Sequence, residues 1–271
     1  MSILLTMLRN MRGSLSKPAA QAPTAETLPH PQPPSEPPAP TAATIAGSPR
    51  EPSPDRIYSL DTTPPIDYEP GFDIDYASAT LTDIADHYKT DKGSIKHRYT
   101  LVYEQYFEGM RGAPIDLMEI GVACGSSLKT WAKYFSRSRV VGVDIRDACK
   151  SLCKGWPQIE IMIADATALD TQRMFDVIID DGSHVSLDIV QAFAHLWPRV
   201  KPGGYYVIED LRCTHDAHYQ RMFTFPKDPA AFDRSHFAQF ADAALRDMDN
   251  GEGDIDFMHF WRQMCFVRKR G

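Results

Sequence analysis

The chain has 271 residues, 43% of them hydrophobic, and its acids outnumber Lys and Arg to give a net charge of −7. That length supports one sizeable core. The acidic balance, with no basic cluster interleaved with aromatics, excludes non-specific nucleic-acid binding. The five cysteines (Cys124, Cys149, Cys153, Cys213, Cys265) are an odd number with no second Cys or His pair at zinc-ligand spacing, and read as reduced thiols in a cytosolic, cytoplasmic protein.

Met1 to Arg12 carries a short apolar run, Ile3 to Leu8, with no basic residue before it. The run is too short for a membrane span and lacks the charge order of a secretory signal, so no membrane role is expected. Arg9, Arg12 and Lys17, with no acid before Glu26, give only a faint transit-peptide composition. Fifteen of the 21 prolines precede Gly71. A stretch so rich in Pro, Ala, Ser and Thr buries too little apolar surface to offset its chain entropy. Roughly residues 13–75 are therefore predicted to be a disordered linker, with residues 1–75 as a tail and 76–271 as one folded domain.

Leu81, Ile84, Ala85 and Tyr88 recur at helical spacing, with Thr82 or Asp83 as the candidate cap. A polar loop, Lys89 to Ser94, precedes a second amphipathic helix from Tyr99 to Met110. Apolar runs at Ile115–Ile120, Val140–Val143, Ile159–Ala164, Phe175–Ile179 and Tyr205–Ile208 read as five strands separated by helical segments. The helices run through Leu128, Trp131 and Phe135, and from Leu187 to Trp197. Strands alternating with helices make a parallel sheet covered on both faces. Residues 211–250 are less regular and read as a lid or substrate wall followed by a helix, Phe232 to Met248. Ile255–Trp261 and Met264–Val267, joined by a tight turn, close the chain as a hairpin.

Ile115 to Asp144 has the grammar of a β-α-β nucleotide site. Gly121 and Gly125 let the backbone turn sharply and approach a ligand, and Asp144, closing the second strand, can bind both hydroxyls of a ribose. Ala123 stands where a pyrophosphate fingerprint has its second glycine, which favours an adenosyl ligand without a pyrophosphate, S-adenosylmethionine above all. Each strand also ends in acid: Glu119, Asp144, Asp165, Asp180–Asp181 and Glu209–Asp210. Ligands of open α/β sheets bind at that edge.

Three local signatures carry a resemblance to a known family. They are Tyr88-Lys-Thr-Asp-Lys-Gly-Ser94 with His97 and Tyr103 downstream; Glu119-Ile-Gly-Val122 with Gly125-Ser-Ser-Leu128; and Asp180-Asp-Gly-Ser-His184 paired with Pro202-Gly-Gly-Tyr-Tyr-Val-Ile-Glu-Asp210. From about Leu81 to Lys269 the sequence resembles class I S-adenosylmethionine-dependent methyltransferases. Within them it is most similar to the metal-dependent sugar O-methyltransferases of macrolide and aromatic polyketide antibiotics, the mycinamicin and tetracenomycin-rhamnose type. A Pro-rich tail replaces the large N-terminal auxiliary domain of the mycinamicin enzyme. The resemblance implies a Rossmann-like α/β fold: a mostly parallel seven-stranded sheet, helices on both faces and a C-terminal antiparallel hairpin.

It also implies roles. Asp181, Glu209 and Asp210 would supply oxygen ligands to Mg²⁺, leaving positions open for two neighbouring hydroxyls of a small-molecule acceptor. Asp181 and His184 are the catalytic candidates, with His184 as the general base; alone it would read as a histidine at a helix start. Asp144 would bind the ribose, and Asp165 with the Ala166 backbone the adenine. Glu119, Gly121 and Gly125 would line the methionine portion, with Asp180 near its amino group. The Asp91–Lys92 loop would fold over the cofactor, or serve as an ordinary capped turn. The number of subunits is left open, a homo-oligomer included.

Three other readings compete. A catechol-type O-methyltransferase would share the metal, and aromatic residues in the lid (Tyr219, Phe223, Phe225, Phe232, Phe237) do not separate the two acceptors. A non-catalytic accessory protein that binds the cofactor has no need of crowded carboxylates. A nicotinamide-dependent oxidoreductase is disfavoured by the missing second glycine and by the terminal hairpin.

Overall fold

A computed structural model describes residues 4, 6, 7, 73–216, 218 and 229–271. Most of the stretch expected to be a linker lies outside the described residues, as do Tyr219, Phe223 and Phe225 of the expected substrate wall.

The chain order is α1 (Leu81–His87), α2 (Thr100–Phe107), β1 (Asp116–Ile120), α3 (Ser126–Tyr134), β2 (Arg139–Asp144), β3 (Ile159–Ile163), β4 (Phe175–Asp180), α4 (Ser186–Leu196), β5 (Val200–Ile208), α5 (Ser235–Asp249), β6 (Ile255–Trp261) and β7 (Met264–Lys269). The seven strands form one sheet in the order β3-β2-β1-β4-β5-β7-β6. From β3 to β5 every pairing is parallel, and β7 runs antiparallel between β5 and β6. This is the expected class I methyltransferase sheet. Its order reverses between β1 and β4, which opens a crevice above their carboxyl ends.

The period-2 alternation of the strands sorts their side chains into two cores. Met118, Ile178, Tyr206 and Ile208 face α4 and α5, where Phe193, Trp197 and Phe240 fill the layer. Leu117, Val177, Ile179 and Val207 face α1, α2 and α3, packing with Tyr103, Phe107 and Trp131. On β1 the same alternation turns Glu119 towards Trp131, whose indole N–H donates to Glu119 Oε2 at 3.1 Å.

Several boundaries differ from the predicted ones. The cap of α1 is Thr80, two residues before the expected Thr82: its Oγ1 accepts from Asp83 N and Asp83 Oδ2 accepts from Thr80 N, a reciprocal capping box. Strand β5 begins at Val200, not Tyr205, because Pro202-Gly203-Gly204 lies inside the strand at a register shift against β4. A Cβ on Gly204 would stand 2.6 Å from Asp176 O, so the backbones approach where only glycine fits. Phe237 is 2% exposed in the α4/α5 core, 5.6 Å ring to ring from Phe240, and does not line a substrate wall.

Three residues of the expected tail, Leu4, Thr6 and Met7, are among the described residues. Leu4 is helical and 4% exposed within the α4/α5 core, its backbone N–H donates to Asp247 Oδ2 at 3.1 Å, and Met7 packs beside it. Leu4 and Met7 of the apolar run thus have a burial role.

Candidate active site

The glycine loop leaving β1 is shaped by two left-handed residues of the predicted pair, Gly121 at φ 90° and Gly125 at φ 77°. A Cβ on Gly121 would lie 2.1 Å from Asp181 O, so the β1 and β4 loops touch only because no side chain stands between them. Gly125 is the N-cap of α3 and gives its first-turn N–H groups no side-chain acceptor. At the end of β2, Asp144 Oδ2 accepts from Val122 N at 3.0 Å and Oδ1 from Arg146 N at 2.8 Å. The Arg146 guanidinium adds an ion pair at 3.1 Å. Burial pushes the Asp144 carboxyl up, but the Arg146 and Val122 hydrogen bonds outweigh it and hold the group below the usual carboxylate range.

Glu119, Gly121, Gly125, Asp144, Asp180 and Lys92 lie along this rim; Asp165 follows β3 beside Asp144, Ala164 N donating to Asp144 O at 3.0 Å, and Asp91 lies on the loop that carries Lys92. Asp165 is exposed and turns its Oδ1 onto Thr167 N and Oγ1, while Ala166 beside it is buried. Asp91 faces outward to Lys96 Nζ at 2.9 Å and His97 Nε2 at 3.6 Å. Glu119 is wholly buried, and burial above all raises its carboxyl to about 7. Among the described residues its Oε1 has no hydrogen-bond donor, and it lies 3.5 Å from Lys92 Nζ. A buried acceptor with a spare lone pair fits the amino group of a methionine-bearing cofactor. Asp180 is buried beneath the Asp181 loop, with Tyr206 O–H at 3.3 Å and Gly182 N at 3.4 Å, and burial raises it to about 7.

Beside the crevice, one ligand atom from each of Asp181, His184 and Asp210 lies within 4.8 Å of the others. His184 Nε2 is 3.8 Å from Asp210 Oδ2, and the imidazole is buried. His184 and Asp210 both hold left-handed backbones, φ 56° and 52°. That conformation is costly for residues with side chains and is retained where the surroundings over-determine it, commonly at functional sites. The Asp181 and Asp210 carboxylates supply oxygens that fit a divalent cation, with the His184 imidazole beside them.

Glu209, expected as the third metal ligand, is committed elsewhere in this arrangement. It is 1% exposed, accepts from Tyr103 O–H at 2.5 Å on Oε1, and pairs with Lys92 Nζ at 2.7 Å on Oε2. The α1/α2 layer thus reaches over the sheet rim to grip it. Burial chiefly, and the neighbouring Asp181 charge, push Glu209 well up despite the Lys92 ammonium. Lys92 also lies 2.5 Å from Asp181 Oδ2. Tyr99 donates to Asp210 Oδ1. Tyr99 and Arg146 were not singled out as site residues by the sequence: tertiary packing brings Tyr99 to Asp210, and the turn after β2 brings Arg146 back to Asp144. The excess of strand-end carboxylates over nearby cations was the available signal that a buried base such as Lys92 must join them.

Residues 118–208 match the methyltransferase domain family. The chain is 33% identical over 210 residues to an 8-demethyl-8-alpha-L-rhamnosyl tetracenomycin-C 2'-O-methyltransferase of Streptomyces olivaceus, covering 70% of this chain and 54% of that relative. It is 35% identical over 142 residues to a mycinamicin VI 2''-O-methyltransferase of Micromonospora griseorubida, covering 48% of this chain and 36% of the relative. Among solved structures it is similar to the MycE methyltransferase of the mycinamycin pathway in complex with Mg, SAH and mycinamycin VI. That match has a TM-score of 0.57 and 28% identity, over 71% of this chain and 55% of the other. Residues 118–208 thus form a methyltransferase domain, and the sheet is that of the class I S-adenosylmethionine-dependent methyltransferases. Within that class the chain is similar to sugar O-methyltransferases of antibiotic pathways, and it spans about half the length or less of the relatives it matches.

Proposed function

We propose that this chain transfers the methyl group of S-adenosylmethionine to a hydroxyl on the sugar of a glycosylated natural product, with Mg²⁺ as its metal. The observation that carries the reading is the convergence of Asp181, His184 and Asp210 at the crevice rim, beside the glycine loop and the buried Glu119 carboxylate. The relatives named above methylate sugar hydroxyls, and MycE was solved with Mg and SAH.

In this reading Asp144 takes the ribose hydroxyls and Glu119, with the Gly121–Gly125 loop, receives the methionine end. Asp165 and Ala166 lie at the end of β3 for the adenine, and Asp180 supports the Asp181 turn. Asp181 and Asp210 hold the metal; Glu209 is a further ligand once Lys92 releases it. A bound divalent cation would lower the pKa of an acceptor hydroxyl and fix two adjacent oxygens, which favours a vicinal diol. His184 accepts the hydroxyl proton, and the buried rim keeps water from competing for it. Residues 76–271 form the catalytic domain, preceded by the Pro-rich stretch. Among the described residues no helix is long and apolar enough to cross a membrane, and the five free thiols suit a reducing cytoplasm.

A labelled-methyl assay against a panel of glycosides and catechols, with and without Mg²⁺, tests the reading. Label on a glycoside supports it. Label on catechols alone would replace the sugar by a planar diol, and no transfer to either would remove the proposed activity.

A further inference from the structure

Lys92, expected only to fold over the cofactor with its loop, is buried among the acids of the rim. Its side chain is 3% exposed, and its ammonium lies 2.5 Å from Asp181, 2.7 Å from Glu209 and 3.5 Å from Glu119. A buried lysine of this kind is retained only where carboxylates compensate it, and the carboxylates are equally dependent on the lysine. Asp181 belongs to two groupings at once. One oxygen pairs with Lys92, and the residue also completes the Asp181–His184–Asp210 cluster.

The strap that delivers Lys92 is built as a separable piece. It runs from Lys89 to Arg98, and both of these residues hold left-handed backbones, φ 58° at each. Its outer side is fastened by Asp86, which accepts from Ser94 N at 2.7 Å and Ser94 Oγ at 2.6 Å. Inside, the Lys92 ammonium pairs directly with the acid rim, while Lys96 on the outer side pairs with Asp91. A divalent cation held by Asp181 would stand within a few ångströms of that ammonium, where like charges repel strongly in a desolvated rim.

Resting on the proposed metal role of Asp181 and Asp210, we infer that Lys92 is a resident cation that competes with the divalent metal for Asp181 and Glu209. Lys92 holds these acids together and closes the 89–98 strap. When it gives them up, Glu209 turns from counter-ion to ligand and the strap loosens. The strap is therefore a metal-responsive element, and Lys92 sets the metal affinity of the site without touching the reacting atoms.

The test uses the full-length chain with Mn²⁺ as the probe, titrated by calorimetry into wild type and Lys92→Met. Hydrogen exchange over residues 89–98 is measured with and without Mn²⁺. The expected result is that Lys92→Met binds Mn²⁺ about tenfold tighter or more, melts lower than wild type without added metal, and is rescued by Mn²⁺. In wild type, Mn²⁺ should speed exchange across the strap. Equal or weaker Mn²⁺ binding by the variant, or strap exchange that Mn²⁺ leaves unchanged, would overturn the competition while leaving the metal reading intact. Absence of Mn²⁺ binding in both proteins would overturn the metal reading and this inference with it. Should Lys92→Met fail to fold, Lys92→Met/Glu209→Gln is compared with Glu209→Gln alone. Tighter Mn²⁺ binding by the double variant supports the competition, and equal binding overturns it.

Discussion

Arg146 lies across both carboxylate oxygens of Asp144, Nε at 3.1 Å from Oδ1 and Nη2 at 3.1 Å from Oδ2. The two residues close the mouth of the glycine loop, since Arg146 Nη2 also reaches Ala123 O at 3.3 Å. A ribose binding at Asp144 would share or displace these contacts. Asp144→Ala should raise the Kd for S-adenosylhomocysteine by about ten- to hundredfold, the loss of one or two hydrogen bonds to a charged group. Calorimetry checks this, and an unchanged Kd would remove Asp144 from the cofactor site.

The same pair has a pH signature. The folded Asp144 carboxyl is held below its ordinary value of about 3.9. Its stabilising contribution is therefore fully present above that value and is lost as pH falls through the lower, folded one. Arg146→Ala removes the strongest lowering contact, so the variant should begin to unfold in acid at a higher pH than wild type. An acid titration followed by near-ultraviolet circular dichroism reads this directly, and coincident curves would refute it.

His184 is the next test. With Asp210 3.8 Å from its Nε2 and Asp181 in the same cluster, it is placed to accept a proton from a hydroxyl held at the rim. His184→Ala should lower kcat by about a hundred- to ten-thousandfold, with the Kd for S-adenosylhomocysteine unchanged. Chelation of divalent metal should likewise abolish turnover and spare cofactor binding. Loss of cofactor affinity in either experiment would mean that the two halves of the rim are not separate.

Much of this site was legible because each parallel strand is an apolar run ending in acid, and a period-2 strand leaves its last residue at the sheet edge. That pattern located Glu119, Asp144, Asp181 and Asp210 without tertiary information. It could not say which acids Lys92 would neutralise, since Lys92 and Glu209 are 117 residues apart. Nor could it find Arg146, whose role depends on the turn after β2. Strand β5 was read too short because Pro-Gly-Gly signals a turn in isolation, whereas the approach of Gly204 to Asp176 keeps those residues in the sheet. Thr80 was legible as a cap and was passed over: it stands directly before the first apolar residue, Leu81, with Asp83 three positions on.

The grip of Tyr103 on Glu209 gives a stability prediction. Both side chains are buried, and their hydrogen bond is 2.5 Å long. Tyr103→Phe keeps the ring packed against Phe107, Trp131 and Phe266 and removes only the donor. Glu209 Oε1 is then left without its partner, at a cost of about 1–3 kcal/mol. For a domain of this size that lowers Tm by about 2–4 °C per kcal/mol. A Tm within error of wild type would show that the hydroxyl is dispensable.

Leu4 supplies the last prediction, and it separates the first residues of the chain from the Pro-rich stretch that follows. Its side chain is 4% exposed in the core that includes Phe193, Trp197 and Phe240, and its N–H donates to Asp247, itself 1% exposed. Leu4→Ala should cost about 2 kcal/mol or more, towards the lower end for a buried leucine because a segment joined to the domain by a long connection can readjust. Deleting residues 1–7 should cost at least as much, since Asp247 then also loses its donor. Shortening the stretch within residues 13–72 should leave the denaturation midpoint nearly unchanged. Urea denaturation of the three variants reads the difference. If the deletion and the shortened chain were equally stable, the packing of Leu4 would contribute nothing to the folded unit.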